Sequence, residues 1–349
     1  MVTSAAHRVS ELLEQAYQGA QHLMEEECSR AHFEPKFKLL RAAARKVLGS
    51  LGYRLAKKTK YIPVNVEERL WAVQNLEFAI KHPGIVEDAR ACFEDQRSLH
   101  IFDMFLLRRF TIALTPDGLA PTDVDQPEEA ELVIIPHVLR NCDGVVRQVY
   151  VRRSYIYDDF AEPCEGDYCI DAGAYRGETA IWMSQLVGPS GMVYAFEPIR
   201  KNFQIMLLNL ADVLHRNIRA YNMALWSEYM MLHMAGETGS AYVTSNPLYS
   251  SSITPAVSID EAVEGKYFPG RIQRIDYIKS DAEGSETKII EGARKSLRKF
   301  RPKLALAVYH KNDIFELPLM IKEINPDYEF RLKHSGDTTC ELVLFARAT

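Results

Sequence analysis

The sequence lacks the features that mark several protein classes. No stretch reaches the ~18 consecutive apolar residues of a membrane span, and residues 1–30 hold no continuous apolar core, so no secretory signal is expected. Cysteine is scarce: six residues, Cys28, Cys92, Cys142, Cys164, Cys169 and Cys340. None stands in a CxxC pair and no histidines flank them at zinc spacing, so no structural metal is expected. Free thiols in a reducing, cytoplasmic setting are the simplest reading. Internal repeats and low-complexity tracts are absent. Basic charge is not in excess either. Against 47 Asp+Glu stand 42 Lys+Arg, a net charge of −5, which argues against nucleic acid as a dedicated partner.

What is present describes an ordinary globular chain, 47% apolar and 26% charged, whose apolar share excludes bulk disorder. At ~100–200 residues per domain its length suggests two domains. Two textures meet near residue 160. Residues 1–110 read as a helical N-terminal domain. SELLEQAYQGAQHLMEEE places Leu12, Leu13, Ala16, Tyr17, Ala20, Leu23 and Met24 on one stripe, a helical spacing. FKLLRAAARKVLGSLGYRL, VEERLWAVQNLEFAIKH and VEDARACFEDQRSLHIFDMFLLRRF are further helix candidates, the second of them stopped by Pro83-Gly84. Residues 111–160 read as a linker with short strands, since 111–130 is rich in proline and acid and VVRQVYVRRSYIY is β-branched and aromatic.

From 161 to 349 strand and helix alternate. Tyr168–Asp171, MVYAFEP, IRAYNMAL, IDYIKS and KLALAVYH read as strands separated by helical stretches. That alternation implies a parallel sheet with helices on both faces. YEFRLKH and ELVLFAR are joined by only SGDTTC, too short for a crossover helix. They must pair antiparallel and leave one sheet edge mixed.

Four constellations carry chemistry. The first is Asp171-Ala-Gly173-Ala-Tyr-Arg-Gly177, where a buried strand turns into a helix. Gly173 permits a tight turn and close approach of a ligand. Gly177 opens a helix whose first N–H groups are unpaired. The same turn occurs in unliganded α/β folds, where the glycine only relieves strain. The second constellation, Glu197-Pro198 at the next strand end, argues for a ligand. It lies 24 residues after Gly173, near the ~20-residue spacing at which an acid accepts hydrogen bonds from a ribose diol. A dinucleotide fold wants G-x-G-x-x-G. Here the pattern is D-x-G-x-x-x-G with Glu178 at the helix start, and acids beside a pyrophosphate would repel it. A ligand with a ribose, no phosphate and a cationic centre suits the motif better, which points to S-adenosylmethionine. Its carboxylate can use the helix N-terminus.

The third constellation is Asp281-Ala-Glu283-Gly284-Ser-Glu286 after IDYIKS. Carboxylates there can orient the methionine end, deprotonate an acceptor hydroxyl or hold a divalent cation. Acids complementing a helix dipole account for Glu286 without any such role. The fourth is Tyr309-His310 at the end of KLALAVYH. Histidine is the usual base near neutral pH, although a lone histidine at a strand end is often structural.

CIDAGAYRGET, VYAFEPIRKNF, Asn222-x-Ala224, VSIDEAV, DYIKSDAEGSE with a following EGA, and AVYHKNDIFELPLMIKEINPDYEFRLKH together resemble the FkbM family of S-adenosylmethionine-dependent methyltransferases over about residues 160–349. The resemblance implies an α/β class I, Rossmann-like methyltransferase domain with a seven-stranded mixed sheet. It implies O-methylation of a sugar or natural-product hydroxyl, with N-methylation of a peptide as the alternative. The matched motifs imply a cofactor site drawn from Asp171, Gly173, Tyr175, Gly177, Glu178, Thr179, Glu197, Pro198, Asn202, Asn222, Ala224 and Asp281. Tyr175 stands where the family usually has Asn, which puts that side-chain contact in question. His310 or Asp281 is expected as the base, with Glu283 in support. The acceptor is thus a sugar, a natural product or a peptide, and homo-oligomers are compatible with the sequence.

Residues 36–60 fall outside the resemblance. They carry nine basic side chains and no acid, with Leu40, Ala43, Val47, Leu48 and Leu51 as an apolar stripe. Such a helix can lie on an anionic membrane as a peripheral contact, or pack on its own domain with a solvated basic face.

Overall fold

The structure is a computed structural model. It describes residues 61–63, 66–114, 119–121, 143–211, 213, 216–236, 241–336 and 339–349. The expected helices before residue 60 and the basic segment 36–60 lie outside the described residues. The chain divides into two compact units, Met1–Gln126 with Gly336–Cys340, and Pro127–Ser335 with Glu341–Thr349.

In the first unit a short antiparallel pair, β1 (Tyr61–Pro63) and β2 (Leu119–Pro121), accompanies three helices, α1 (Val66–Lys81), α2 (Pro83–Ala91) and α3 (Gln96–Leu114). Pro83 both limits α1 and opens α2 at its first turn, where its missing N–H costs nothing. In α3, Ser98, Phe102, Phe105, Arg109 and Ile112 are buried at helical spacing. The buried Arg109 guanidinium donates to the carbonyls of Glu68 and Thr339 and lies over the rings of Trp71 and Phe105.

The first described element of the second unit is α4 (Asp143–Val146), which runs into a π-helical turn at Arg147–Val151. Strands were expected here. Val149 and Tyr150 are buried in the core with Val145 and Val146 packed against it, and spacing of four residues selects a helix over a strand. Tertiary packing therefore overrides the β-branched composition.

The seven-stranded sheet runs in the order β12-β13-β11-β10-β3-β4-β5. Its strands are β3 (Tyr168–Ala172), β4 (Met192–Phe196), β5 (Ile218–Tyr221), β10 (Tyr277–Ser280), β11 (Lys303–Ala307), β12 (Tyr328–His334) and β13 (Leu342–Ala348). All pairings are parallel except those of β13, so the expected mixed edge is present. The central strands are buried almost throughout, as strands covered on both faces must be. The helices are α5 (Glu178–Val187), α6 (Arg200–Leu210), α7 (Ile259–Glu264), α8 (Glu286–Glu291), α9 (Arg294–Phe300) and α10 (Asp313–Ile324).

A second sheet of order β6-β9-β7-β8 interrupts the alternation. It comprises β6 (Ala224–Leu225), β7 (Met230–Ala235), β8 (Tyr242–Val243) and β9 (Ser252–Val257). Ala224, Leu232, Met234 and Ala256 bury one face of it with Ile199. β3 is followed in sequence by β4 on one side, while β10 flanks its other side. The chain order reverses at that boundary, and ligands of open α/β sheets bind at the carboxyl ends of strands there. Among the described residues, no helix is long and apolar enough to cross a membrane, and Cys92, Cys164, Cys169 and Cys340 are free thiols.

Candidate active site

Four strand ends converge on a cavity of about 620 Å³, within the usual ~300–1,000 Å³ of small-molecule sites. At the end of β3, Gly173 adopts φ +74°, and a Cβ there would lie 2.0 Å from the Asp281 carbonyl oxygen at the end of β10. Only glycine lets the two strand ends approach this closely. The N–H groups of Gly173 and Ala174 both donate to the Phe196 carbonyl, which ties the turn to the end of β4.

Glu197 follows β4 and is 4% exposed. The backbone N–H of Tyr175 donates to Oε2 at 2.9 Å and that of Ile199 to Oε1 at 2.8 Å. Asn202 adds a longer bond of 3.4 Å. Burial pushes the carboxyl up to about 7, against the pull of the Ile199, Asn202 and Tyr175 donors and of Lys279. The rotamer is thus fixed before any ligand arrives. Tyr175 contributes through its backbone, while its ring stacks with the Arg176 guanidinium. Pro198 lies ahead of α6, whose N-cap is Ile199.

Asp281, after β10, accepts from Tyr155 Oη at 2.6 Å on one oxygen and from Tyr309 Oη at 3.0 Å on the other. Tyr155 in turn accepts from Gln148 at 3.1 Å. Burial and the neighbouring Asp281 carboxylate hold the Tyr155 phenol well above its ordinary range, so it remains a donor. Glu283 sits at φ +52°, and its Oε2 lies 3.3 Å from His310 Nε2. Burial raises the Glu283 carboxyl despite that contact. On the other side of the ring, Glu286 Oε2 is 3.7 Å from His310 Nδ1. Burial opposes charge on His310, but Glu283 and Glu286 outweigh it and hold the imidazole well above its usual value.

Most of the anticipated residues meet at this cavity. Gly173, Tyr175, Glu178, Thr179, Glu197, Pro198, Asn202, Ala224, Asp281 and Glu283 line it. Four others lie behind the lining. Asp171 is fully buried and pairs with Lys279 Nζ at 2.9 Å; burial lifts its carboxyl and Lys279 pulls it back. Gly177 caps α5. Asn222 donates to the carbonyls of Glu197 and Pro198 and so holds the segment that carries Glu197. His310 is fully buried, without the exposure a base needs to reach an acceptor. Lining residues missed in the sequence include Lys279, Tyr155, Gln148 and Arg176. Lys279 alone carried a signal, a cation in an otherwise apolar buried strand, which demands a buried partner.

The strand order and the four converging strand ends define a class I methyltransferase fold. Residues 171–332 match the family model described as methyltransferase FkbM domain. The fold is similar to the crystal structure of methyltransferase FkbM from Methylobacillus flagellatus KT, at 17% identity and TM-score 0.56, over 90% of this chain and 71% of that one. More distant similarity extends to Aeropyrum pernix fibrillarin with natively bound S-adenosyl-L-methionine (14% identity, TM-score 0.35, 53% of this chain and 68% of that one). It also reaches precorrin-6y C5,15-methyltransferase from Geobacter metallireducens GS-15 (14% identity, TM-score 0.35, 64% and 94%). No curated protein matches the chain.

Proposed function

We propose that this protein is an S-adenosylmethionine-dependent O-methyltransferase acting on a hydroxyl of a sugar or natural product. The observation that carries the cofactor reading is Glu197, a pre-oriented carboxylate at the end of β4 facing the cavity. It is the residue to accept both ribose hydroxyls. Gly173 lets the backbone approach the ligand, and the α5 N-terminus suits the amino-acid carboxylate. Lys279 is committed to Asp171 and to the Gly173 carbonyl, which leaves the cavity rich in acids and suited to a cationic ligand rather than a pyrophosphate.

S-adenosylmethionine supplies an activated methyl group on its sulfonium. The protein's task is then to hold acceptor and donor in line, which is worth ~7–11 kcal/mol of barrier. Asp281, locked by two tyrosine hydroxyls, orients the acceptor hydroxyl. Glu283, whose carboxyl is raised by burial, takes its proton. A base so placed contributes ~10²–10⁴-fold. His310 is a positioning residue that fixes Glu283 from behind.

Incubation with methyl-labelled cofactor and a panel of glycans, hydroxylated natural products and peptides tests this. Label in an ether on a hydroxyl is expected. Label confined to peptide nitrogen, or no transfer to any acceptor, would overturn the assignment.

A further inference from the structure

Asp281, Glu283 and His310 each offer one ligand atom, and these atoms all lie within 4.8 Å of one another. Two of the three residues line the cavity, and the third, His310, is fully buried beside Glu283. Divalent cations hold carboxylate oxygen and imidazole nitrogen at ~2.0–2.2 Å. Ligand atoms around such an ion therefore lie roughly 3 Å apart, close to the 3.3 Å between Glu283 Oε2 and His310 Nε2.

The surroundings suit a metal in two further respects. Metal-bound histidines commonly turn their second ring nitrogen to a carboxylate, which fixes the ring, and His310 Nδ1 faces the fully buried Glu286 at 3.7 Å. Charge points the same way. Asp281, Glu283 and Glu286 lie around one imidazole, and the buried Lys279 beside them is already paired with Asp171, so the carboxylates outnumber the cations left to offset them, and buried charge of one sign demands a counter-charge. Lys311, which follows His310, donates its Nζ to the Gly284 carbonyl.

We propose that Asp281, Glu283 and His310 form a binding site for one divalent cation that accepts mixed oxygen and nitrogen ligation, with Mn²⁺ as the representative ion. Mg²⁺ binds more weakly, because it favours all-oxygen shells. The Tyr155 and Tyr309 hydroxyls fix Asp281 as a ligand, and Glu286 orients His310. The ion would present its open positions to the cavity, where it would lower the pKa of an acceptor hydroxyl whose proton passes to the non-coordinating oxygen of Glu283. That part of the inference rests on the methyltransferase reading; binding of the ion does not.

The test is Mn²⁺ titration of the chelator-treated full chain, without cofactor or acceptor, followed by the paramagnetic resonance signal of free Mn²⁺. One equivalent should bind. Glu283→Gln, at a partly exposed side chain, should fold normally by circular dichroism and weaken binding by ~100-fold or more. Glu286→Gln should weaken it ~10–100-fold, as loss of an outer-shell partner does. Absence of Mn²⁺ binding to the wild type at millimolar concentration, or equal affinity in wild type and Glu283→Gln, overturns the site. Calorimetry with S-adenosylhomocysteine on the same preparation separates the two readings. Nucleoside binding without Mn²⁺ binding refutes the metal site alone, and Mn²⁺ binding without nucleoside binding supports the site while refuting the cofactor assignment.

Discussion

Glu197 makes cofactor affinity depend on pH in a direction the structure fixes. Burial raises its carboxyl to about 7, so at neutral pH the empty site holds a mixture of acid and carboxylate. Two ribose hydroxyls donating to the side chain require the ionised form, so binding releases the proton. Affinity therefore rises as pH increases through about 7 and levels off above it. Each pKa unit is worth about 1.36 kcal/mol, so S-adenosylhomocysteine should bind ~10-fold more weakly at pH 6 than on the plateau, and ~100-fold more weakly at pH 5. Glu197→Gln retains the shape but loses the charge-assisted bonds. It should cost about 1.5–3 kcal/mol, or ~10–150-fold in affinity, and flatten the profile between pH 6 and 8. Isothermal calorimetry in buffers of different ionisation heat measures both the affinity and the proton release. A flat wild-type profile, or the same step persisting in Glu197→Gln, would refute the assignment of the ribose to this carboxylate.

Two other substitutions probe the frame that presents it. Gly173→Ala should lower stability by about 2–5 kcal/mol, combining a left-handed backbone with overpacking against the Asp281 carbonyl; thermal unfolding and nucleoside affinity should fall together. Lys279→Met leaves Asp171 buried without its partner and should cost ~3–5 kcal/mol by denaturant titration, whereas the double replacement Asp171→Leu with Lys279→Met should recover much of the loss.

The sheet was legible in the sequence because its central strands are largely apolar runs, and β3, β4 and β10 are each followed by a glycine or an acid at the carboxyl end. Gly173, Glu197 and Asp281 could be located for that reason alone. The short connection after YEFRLKH likewise required the antiparallel edge that β12 and β13 form. The small sheet was not legible, because β6 and β8 are two residues each and carry no periodicity. Tyr155 and Gln148 were missed because Gln148 lies on a π-helical turn whose β-branched residues read as a strand, and Tyr155, which reaches Asp281, lies in the turn that follows it. His310 lies at the strand end, as its position in the sequence implies. Its side chain is buried behind the lining because two carboxylates contributed by the β10–α8 segment, Glu283 and Glu286, meet it there. Long-range charge pairing of this kind leaves no local pattern.

The central claim is that the cavity at the ends of β3, β4 and β10 takes an adenosyl amino acid and not a dinucleotide. Competition calorimetry with S-adenosylmethionine and NAD⁺ on the full chain tests it most directly. The account predicts one equivalent of S-adenosylmethionine bound, weakened by Glu197→Gln and undisturbed by saturating NAD⁺. Displacement by NAD⁺, or S-adenosylmethionine binding indifferent to Glu197, would contradict it.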